Sequence, residues 1–116
     1  MKYIIKKSEA ISTQENEISR FYEYQFPFKK ASLGVSEING RYPESGYDVD
    51  EKVEQIWYVE SGIATVWIDG LEYNVEKGDM IYVPEGQKYW INGNNLKLIV
   101  ASGSPWFYEQ HKHILS

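Results

Sequence analysis

Apolar and polar residues alternate with a period of two along most of this chain, the signature of strands that bury one face. The runs are short: residues 21–26, 31–38, 54–60, 63–69, 71–75, 80–83, 87–92 and 96–101 each read as a strand. The first ends at Pro27, and Ala31, Leu33 and Val35 share one face of the second. Between the runs sit Asn39-Gly40, Ser61-Gly62, Asp69-Gly70, Lys77-Gly78-Asp79, Pro84-Glu85-Gly86 and Asn92-Gly93-Asn94-Asn95. Asn-Gly and Asp-Gly favour tight hairpin turns, because Gly accepts positive φ without a steric penalty. Residues 1–8 alternate weakly, as an edge strand would. Residues 9–19 are polar; Ser12 and Glu15 have the spacing of a helix cap, and a plain loop fits equally well. Residues 41–53 read as a polar loop with Pro43 and Gly46, and Trp106-Phe107-Tyr108 as a tail closing against the strands. No segment is long and periodic enough for a βαβ crossover. The pattern predicts an all-β barrel or sandwich, one domain over residues 1–116.

Composition narrows the chemistry. Ten Tyr and four Trp in 116 residues are more rings than a small core needs. Some are expected to line a cleft or a contact between copies, and a homodimer is the expected assembly. The formal charge of −5 is concentrated: Glu44, Asp48, Asp50, Glu51, Glu54 and Glu60 stand against Lys52 alone between residues 44 and 60. That balance is −5, so the rest of the chain is neutral. Such a field repels phosphate backbones and anionic lipid, which argues against nucleic-acid and membrane partners. Without cysteine there are no disulfides, thiolate metal sites or thiol nucleophiles. The opening residues lack the apolar run of a signal peptide, no stretch has the length of a membrane span, and a cytoplasmic protein is expected.

Residues 54–100, EQIWYVESGIATVWIDGLEYNVEKGDMIYVPEGQKYWINGNNLKLIV, resemble the conserved core of the cupin superfamily. Gly78, Pro84 and Gly86 match the Gly and Pro-x-Gly of the family's second motif, and Gln55 and Gly62 match the end of the first. The resemblance implies a double-stranded β-helix, the cupin-type jelly-roll barrel. The family's metal-binding positions are occupied differently here. The first-motif Glu position is Gln55, and the second-motif His position is Tyr89. The His-x-His positions fall on Asp48 and Asp50 or on Val49 and Glu51. The usual His, His, Glu, His set is therefore not retained, and no metal or other cofactor is expected.

The candidate ligand-binding residues are Gln55, Trp57, Tyr89, Asp50 and Glu51. An inward Gln55 brings Trp57 and Val59 to the same face, and the family's ligand position points Tyr89 inward as well. Rings with a polar end suit sugars and small planar molecules; the same rings also suit a packed lumen. The oxygen-rich segment from Asp48 to Gln55 has no known cation-loop spacing and reads as a solvated loop. The only histidines, His111 and His113, read as exposed tail residues. The leading expectation is a metal-independent protein that binds or senses a small, carbohydrate-like molecule. The alternatives are a sugar isomerase, epimerase or lyase using Tyr and carboxylate groups, and a non-catalytic dimeric module.

Overall fold

The computed structural model describes residues 3–24, 26 and 30–115. Nine strands follow a short 3-10 turn at Lys7–Glu9: β1 Ile11–Asn16, β2 Ser19–Glu23, β3 Ser32–Tyr42, β4 Tyr47–Asp50, β5 Gln55–Ile68, β6 Leu71–Glu76, β7 Met80–Val83, β8 Lys88–Ser102 and β9 His111–Ile114. The fold is an all-β jelly roll, as the resemblance implies. Every pairing is antiparallel. One path runs β1-β2-β3-β8-β4-β9, and β5 joins it through β8 while also pairing with β6 and β7. The long strands β5 and β8 lie side by side from Gln55↔Ser102 to Ile68↔Tyr89 and form the spine. Among the described residues no helix is long and apolar enough to cross a membrane.

Several expected turns are bulges instead. Ser61-Gly62 does not end a strand; it shifts the β5–β8 register while β5 continues to Ile68. Gly62 has φ +84, and a Cβ there would run into the backbone of Asn95, itself at φ +49 on β8. Asn39-Gly40 likewise sits inside β3 beside a register shift. A bulge needs the same positive-φ residues as a turn, so the local sequence does not separate them. Asp69-Gly70 is a true hairpin turn, with φ 51 and 79 and Ile68 paired to Leu71. The stretch around Ser12 is neither helix nor loop but strand β1. The expected edge strand over 1–8 holds instead the 3-10 turn. Met1, Lys2 and the end of the expected 21–26 strand at Gln25 and Pro27 lie outside the described residues.

Alternation sets the core. Gln55, Trp57 and Val59 are buried while Ile56, Tyr58 and Glu60 are exposed. Ile38, Tyr42, Trp57, Val59, Ala64, Val66, Val83, Tyr89, Ile91, Leu96 and Leu98 form one buried cluster. Leu33 and Val35 face outward, and Ser36 and Ile38 occupy the inner face of β3. The expected polar loop over 41–53 contains β4, whose Asp48 and Asp50 are buried.

Candidate functional site

Strand β4 reads Tyr-Asp-Val-Asp and strand β9 reads His-Lys-His-Ile. Each alternates, so each aims two ionisable side chains to one face. In the ladder Asp50 pairs with His111 and Asp48 with His113. On the other edge of β4, Asp48 lies opposite Tyr89 of β8. An acidic strand thus lies between a basic strand and a buried phenol. Opposite charges directly across a ladder attract, and this complementarity fixes β9 on β4.

Asp48 and Asp50 are 3 % and 1 % exposed, so their charges must be met inside the protein. The His111 ring does so for both, with Nδ1 2.9 Å from Asp50 Oδ1 and Nε2 3.0 Å from Asp48 Oδ2. Ionised carboxylates only accept, so a ring facing one at each nitrogen must donate from both. His111 is therefore an imidazolium. Burial by itself would lower its pKa, but hydrogen bonds and charge from Asp48 and Asp50 raise it to about 10. Burial likewise works to raise both carboxyl groups. For Asp48 it is outweighed by hydrogen bonds from His111 and His113, the charge of His111 and a hydrogen bond from Tyr42. For Asp50 it is outweighed by His111, Gln110 and Trp106. Both carboxyl groups lie below the usual range.

The Asp50 carboxylate accepts four hydrogen bonds. Oδ1 takes Gln110 Nε2 at 2.7 Å, His111 Nδ1 at 2.9 Å and Trp106 Nε1 at 3.0 Å. Oδ2 takes the Tyr89 hydroxyl at 3.3 Å. Burial, then the charge of Asp50, holds the Tyr89 pKa well above 10, so the phenol keeps its proton. Tyr89 meets the edge of Trp57 at 4.8 Å between ring centroids, and Trp57 Nε1 donates to Gln55 Oε1 at 2.9 Å. His113 differs from its neighbours. Its Nδ1 donates to Asp48 Oδ1 at 2.8 Å, its side chain is 41 % exposed, and among the described residues nothing hydrogen-bonds its Nε2. A carboxylate that holds one ring nitrogen fixes the tautomer and leaves the other as an oriented acceptor.

The structure brings four of the five sequence candidates together: Asp50 and Tyr89 bond directly, Trp57 packs on Tyr89, and Gln55 joins through Trp57. The side chain of Glu51 is exposed outside this network, and only its backbone N–H takes part locally, donating to the Gln110 carbonyl. His111 is not a solvated tail residue, whereas His113 is exposed as expected although tethered to Asp48; the acidic segment is not wholly a solvated loop. The departures have one reason: two short polar segments, far apart in sequence, neutralise each other when paired as strands. The Asp-x-Asp and His-x-His alternation was the available signal. Trp106 belongs to the network, while Phe107 and Tyr108 are exposed.

Of the two pairs that the resemblance allows for the family's first metal positions, Asp48 and Asp50 are both buried while Glu51 is exposed. Together with Gln55 and Tyr89, Asp48 and Asp50 do not fit a metal ion. The lone pairs of Asp50 are committed to four donors, and Tyr89 holds its proton. Open clefts lie elsewhere: one of about 360 Å³ beside Glu37, Asn39 and Asn95, and one of about 540 Å³ beside Ile63, Asn74 and Asn92. Neither is lined by a member of the network.

A family model described as a cupin domain matches residues 38–101. Among solved structures, a Streptomyces Pac13 variant with uridine is similar over 99 % of this chain and 92 % of that one, with a TM-score of 0.89 and 13 % identity. Another Pac13 structure is described as a unique nucleoside dehydratase. KdgF from Halomonas sp. has a TM-score of 0.69 at 13 % identity, over 85 % of this chain and 92 % of that one. Oxalate decarboxylase from Bacillus subtilis has a TM-score of 0.80 at 15 % identity, over 95 % of this chain and 31 % of that one. Identities this low speak for the fold alone. No curated protein matches the sequence.

Proposed function

The chain belongs to the cupin family, and from that premise we propose that it binds a small, neutral, hydroxyl-rich molecule of the nucleoside or sugar kind without a metal. The observation that carries this reading is the oriented His113, held through Nδ1 by the buried Asp48, with its side chain 41 % exposed and no hydrogen bond to Nε2 among the described residues. Nε2 can accept a hydrogen bond from a ligand hydroxyl without any rearrangement of the core. The charge of the surroundings selects against anions. Two carboxylates and one imidazolium leave the network at −1 when His113 is neutral, within a chain of formal charge −5. The Pac13 likeness, with uridine present in that protein, supports a nucleoside as the first ligand to try.

A second reading has its own observation in favour. A histidine oriented by a carboxylate is a general-base arrangement, able to take a proton from a substrate carbon or hydroxyl. The chain would then be a lyase or isomerase on the same ligand class, with His113 rather than a carboxylate as the base. Tyr89 and Asp50 would support the site without exchanging protons, because both are locked in their own hydrogen bonds.

Histidine ring resonances of the full chain, followed by NMR, test the binding reading. Uridine, a neutral hexose and a hexuronate are added separately. Saturable shifts of the His113 and His111 resonances with uridine or the hexose are expected, the His111 response being lost in His113→Ala, with a much smaller response to the hexuronate. No response to either neutral ligand up to millimolar concentration refutes the proposal. Product formation on standing, lost in His113→Ala, separates the catalytic reading from simple binding.

A further inference from the structure

A second polar arrangement lies on the outer face of the sheet, away from the buried network. The register sets Asn74 of β6, Thr65 of β5 and Asn92 of β8 side by side in one cross-strand row. Glu76, Ile63 and Asn94 form the next row on the same face. These residues, with Asp79, line the open cleft of about 540 Å³, a volume within the ~300–1,000 Å³ of small-molecule sites. The backbone does not require the asparagines. Asn95 has φ +49 and serves the bulge, whereas among the described residues Asn74, Asn92 and Asn94 have no positive φ. The core does not require them either, since all three are exposed. Asn is disfavoured inside strands, so three of them gathered on one face have a reason outside the fold.

We propose that this cleft binds an uncharged oligosaccharide, its chain lying extended across β6, β5 and β8. Hydrogen bonding is the first argument. A sugar hydroxyl both donates and accepts, and amide and hydroxyl side chains do the same. The Thr65 hydroxyl donates to Asn74 Oδ1 at 3.0 Å, which fixes that amide and leaves its Nδ2 to donate outward. Spacing is the second argument. Neighbouring strands lie about 4.8 Å apart, so the row repeats its polar groups at close to the spacing of successive rings in an extended glycan. Ile63, 54 % exposed, offers an apolar floor to the C–H face of one ring. Charge is the third argument. Glu76 and Asp79 are acidic, and among the described residues no lysine or arginine lines the cleft. Arg41, opposite Asn92 on β3, donates to the Pro43 and Gly46 carbonyls and lies over the Trp90 ring. Anionic polymers are therefore repelled. A peptide strand finds no open backbone in the floor, because β5 is paired to both β6 and β8. The cleft is independent of the ligand reading at His113, because its side chains point away from the barrel interior.

Two-dimensional NMR of the full chain, with the asparagine side-chain amides assigned, tests the proposal. Cellotetraose is the probe and tetragalacturonate the charged comparison. Cellotetraose at millimolar concentration is expected to shift the Asn74, Asn92 and Asn94 amide signals saturably. Tetragalacturonate should bind at least ~10-fold more weakly. Asn92→Ala and Thr65→Val should each weaken cellotetraose binding roughly fivefold, as for the loss of a hydrogen bond. Glu23→Gln, on β2 outside the cleft, should leave it unchanged. If a variant misfolds, the map on the wild type and the contrast between the two glycans still decide the matter. Absence of amide shifts with millimolar cellotetraose overturns the proposal, as does equal binding of tetragalacturonate. Binding that survives both substitutions overturns it too. The three amides report this cleft and the His113 ring reports the other site, so the two readings fail separately. Cellotetraose shifts confined to the His113 ring therefore overturn the cleft and leave the ligand reading standing.

Discussion

Raising the pH from 6 to 10 should destabilise this protein through one residue. His111 has a pKa of about 10 in the folded chain, against an ordinary value of 6.5. Its folded value is the higher one, so its contribution is fully present below pH 6.5 and is lost as pH climbs toward 10. At about 1.4 kcal/mol per pH unit, the shift corresponds to on the order of 5 kcal/mol. A separate line of reasoning gives a similar figure: removing one partner of a buried ion pair typically costs about 3–5 kcal/mol. The ring is 17 % exposed, so solvent screens only a small part of this. A limit comes from topology. Strand β9 pairs with β4 alone, at the end of the sheet path. Once detaching β9 costs less than global unfolding, further loss appears as local opening. Two measurements are therefore paired: urea unfolding between pH 6 and 10, and hydrogen exchange of the β9 amides over the same range. The wild type should lose stability steadily above pH 6.5, with β9 exchanging before the core. His111→Gln should start several kcal/mol lower and show a flat profile over that range. Parallel pH profiles for the two proteins would refute the assignment of His111 as a buried cation. So would protection of β9 that does not change with pH.

The remaining expectations concern the same junction. On the acid side the carboxylates act with the opposite sign. The folded pKa values of Asp48 and Asp50 lie below 3.8, so their contribution is present above that value and vanishes as pH falls through the folded ones; an acid titration followed by tyrosine and tryptophan fluorescence should show a transition below pH 3.8, absent from Asp48→Asn/Asp50→Asn. Asp50→Asn alone should cost about 2–4 kcal/mol in urea unfolding, because an amide cannot accept four donors and turns an NH₂ toward some of them. NMR titration of that variant should also find the His111 pKa lower. Gly46 has φ +68, and a Cβ there would meet the Ile114 carbonyl. Gly46→Ala should therefore loosen β9 and speed proteolysis of the tail, with a modest loss of global stability.

The inward side of β5 follows from alternation once Gln55 faces inward, and that of β8 from the family resemblance at Tyr89. Trp57 and Tyr89 were legible on those grounds, although each long strand reads as two short ones. Bulges were not: Ser61-Gly62 and Asn39-Gly40 look like turns, since the backbone angles required are the same. The role of the histidines was hidden by distance. Asp50 and His111 are 61 positions apart; β4 has only Tyr47 and Val49 on the face opposite its acids, and β9 has no apolar face, so little in either four-residue strand marks its charged side as buried. A short polar strand gains its burial from charge pairing, and a pairing exists only between two segments. The Asp48 register was open for the same reason. An Asp-Val-Asp-Glu stretch has acidic residues in both phases of the alternation, and only the histidines of β9 decide which phase turns inward.

That pairing suggests why the barrel tolerates acidic residues at positions where its family places metal ligands. Two carboxylates facing one interior need a cation between them. A bound metal ion would meet the need with charge drawn from solution. Here the imidazolium of His111 meets it with charge drawn from the chain's own C-terminal strand, at 2.9 and 3.0 Å from the two acids. The consequence is a link between assembly of the fold and readiness of the site. His113 lies on the same strand, and its orientation depends on Asp48, whose charge in turn depends on His111. A change that removes the imidazolium should therefore disorder the His113 ring even where β9 stays attached. In His111→Gln, the Nδ1 proton of His113, observable while it is hydrogen-bonded to Asp48, should exchange too fast to detect near neutral pH, and uridine affinity should fall with it. If that proton stays sharp while uridine binding is lost, or the reverse, the two histidines are not coupled through Asp48 and the site does not depend on the clamp.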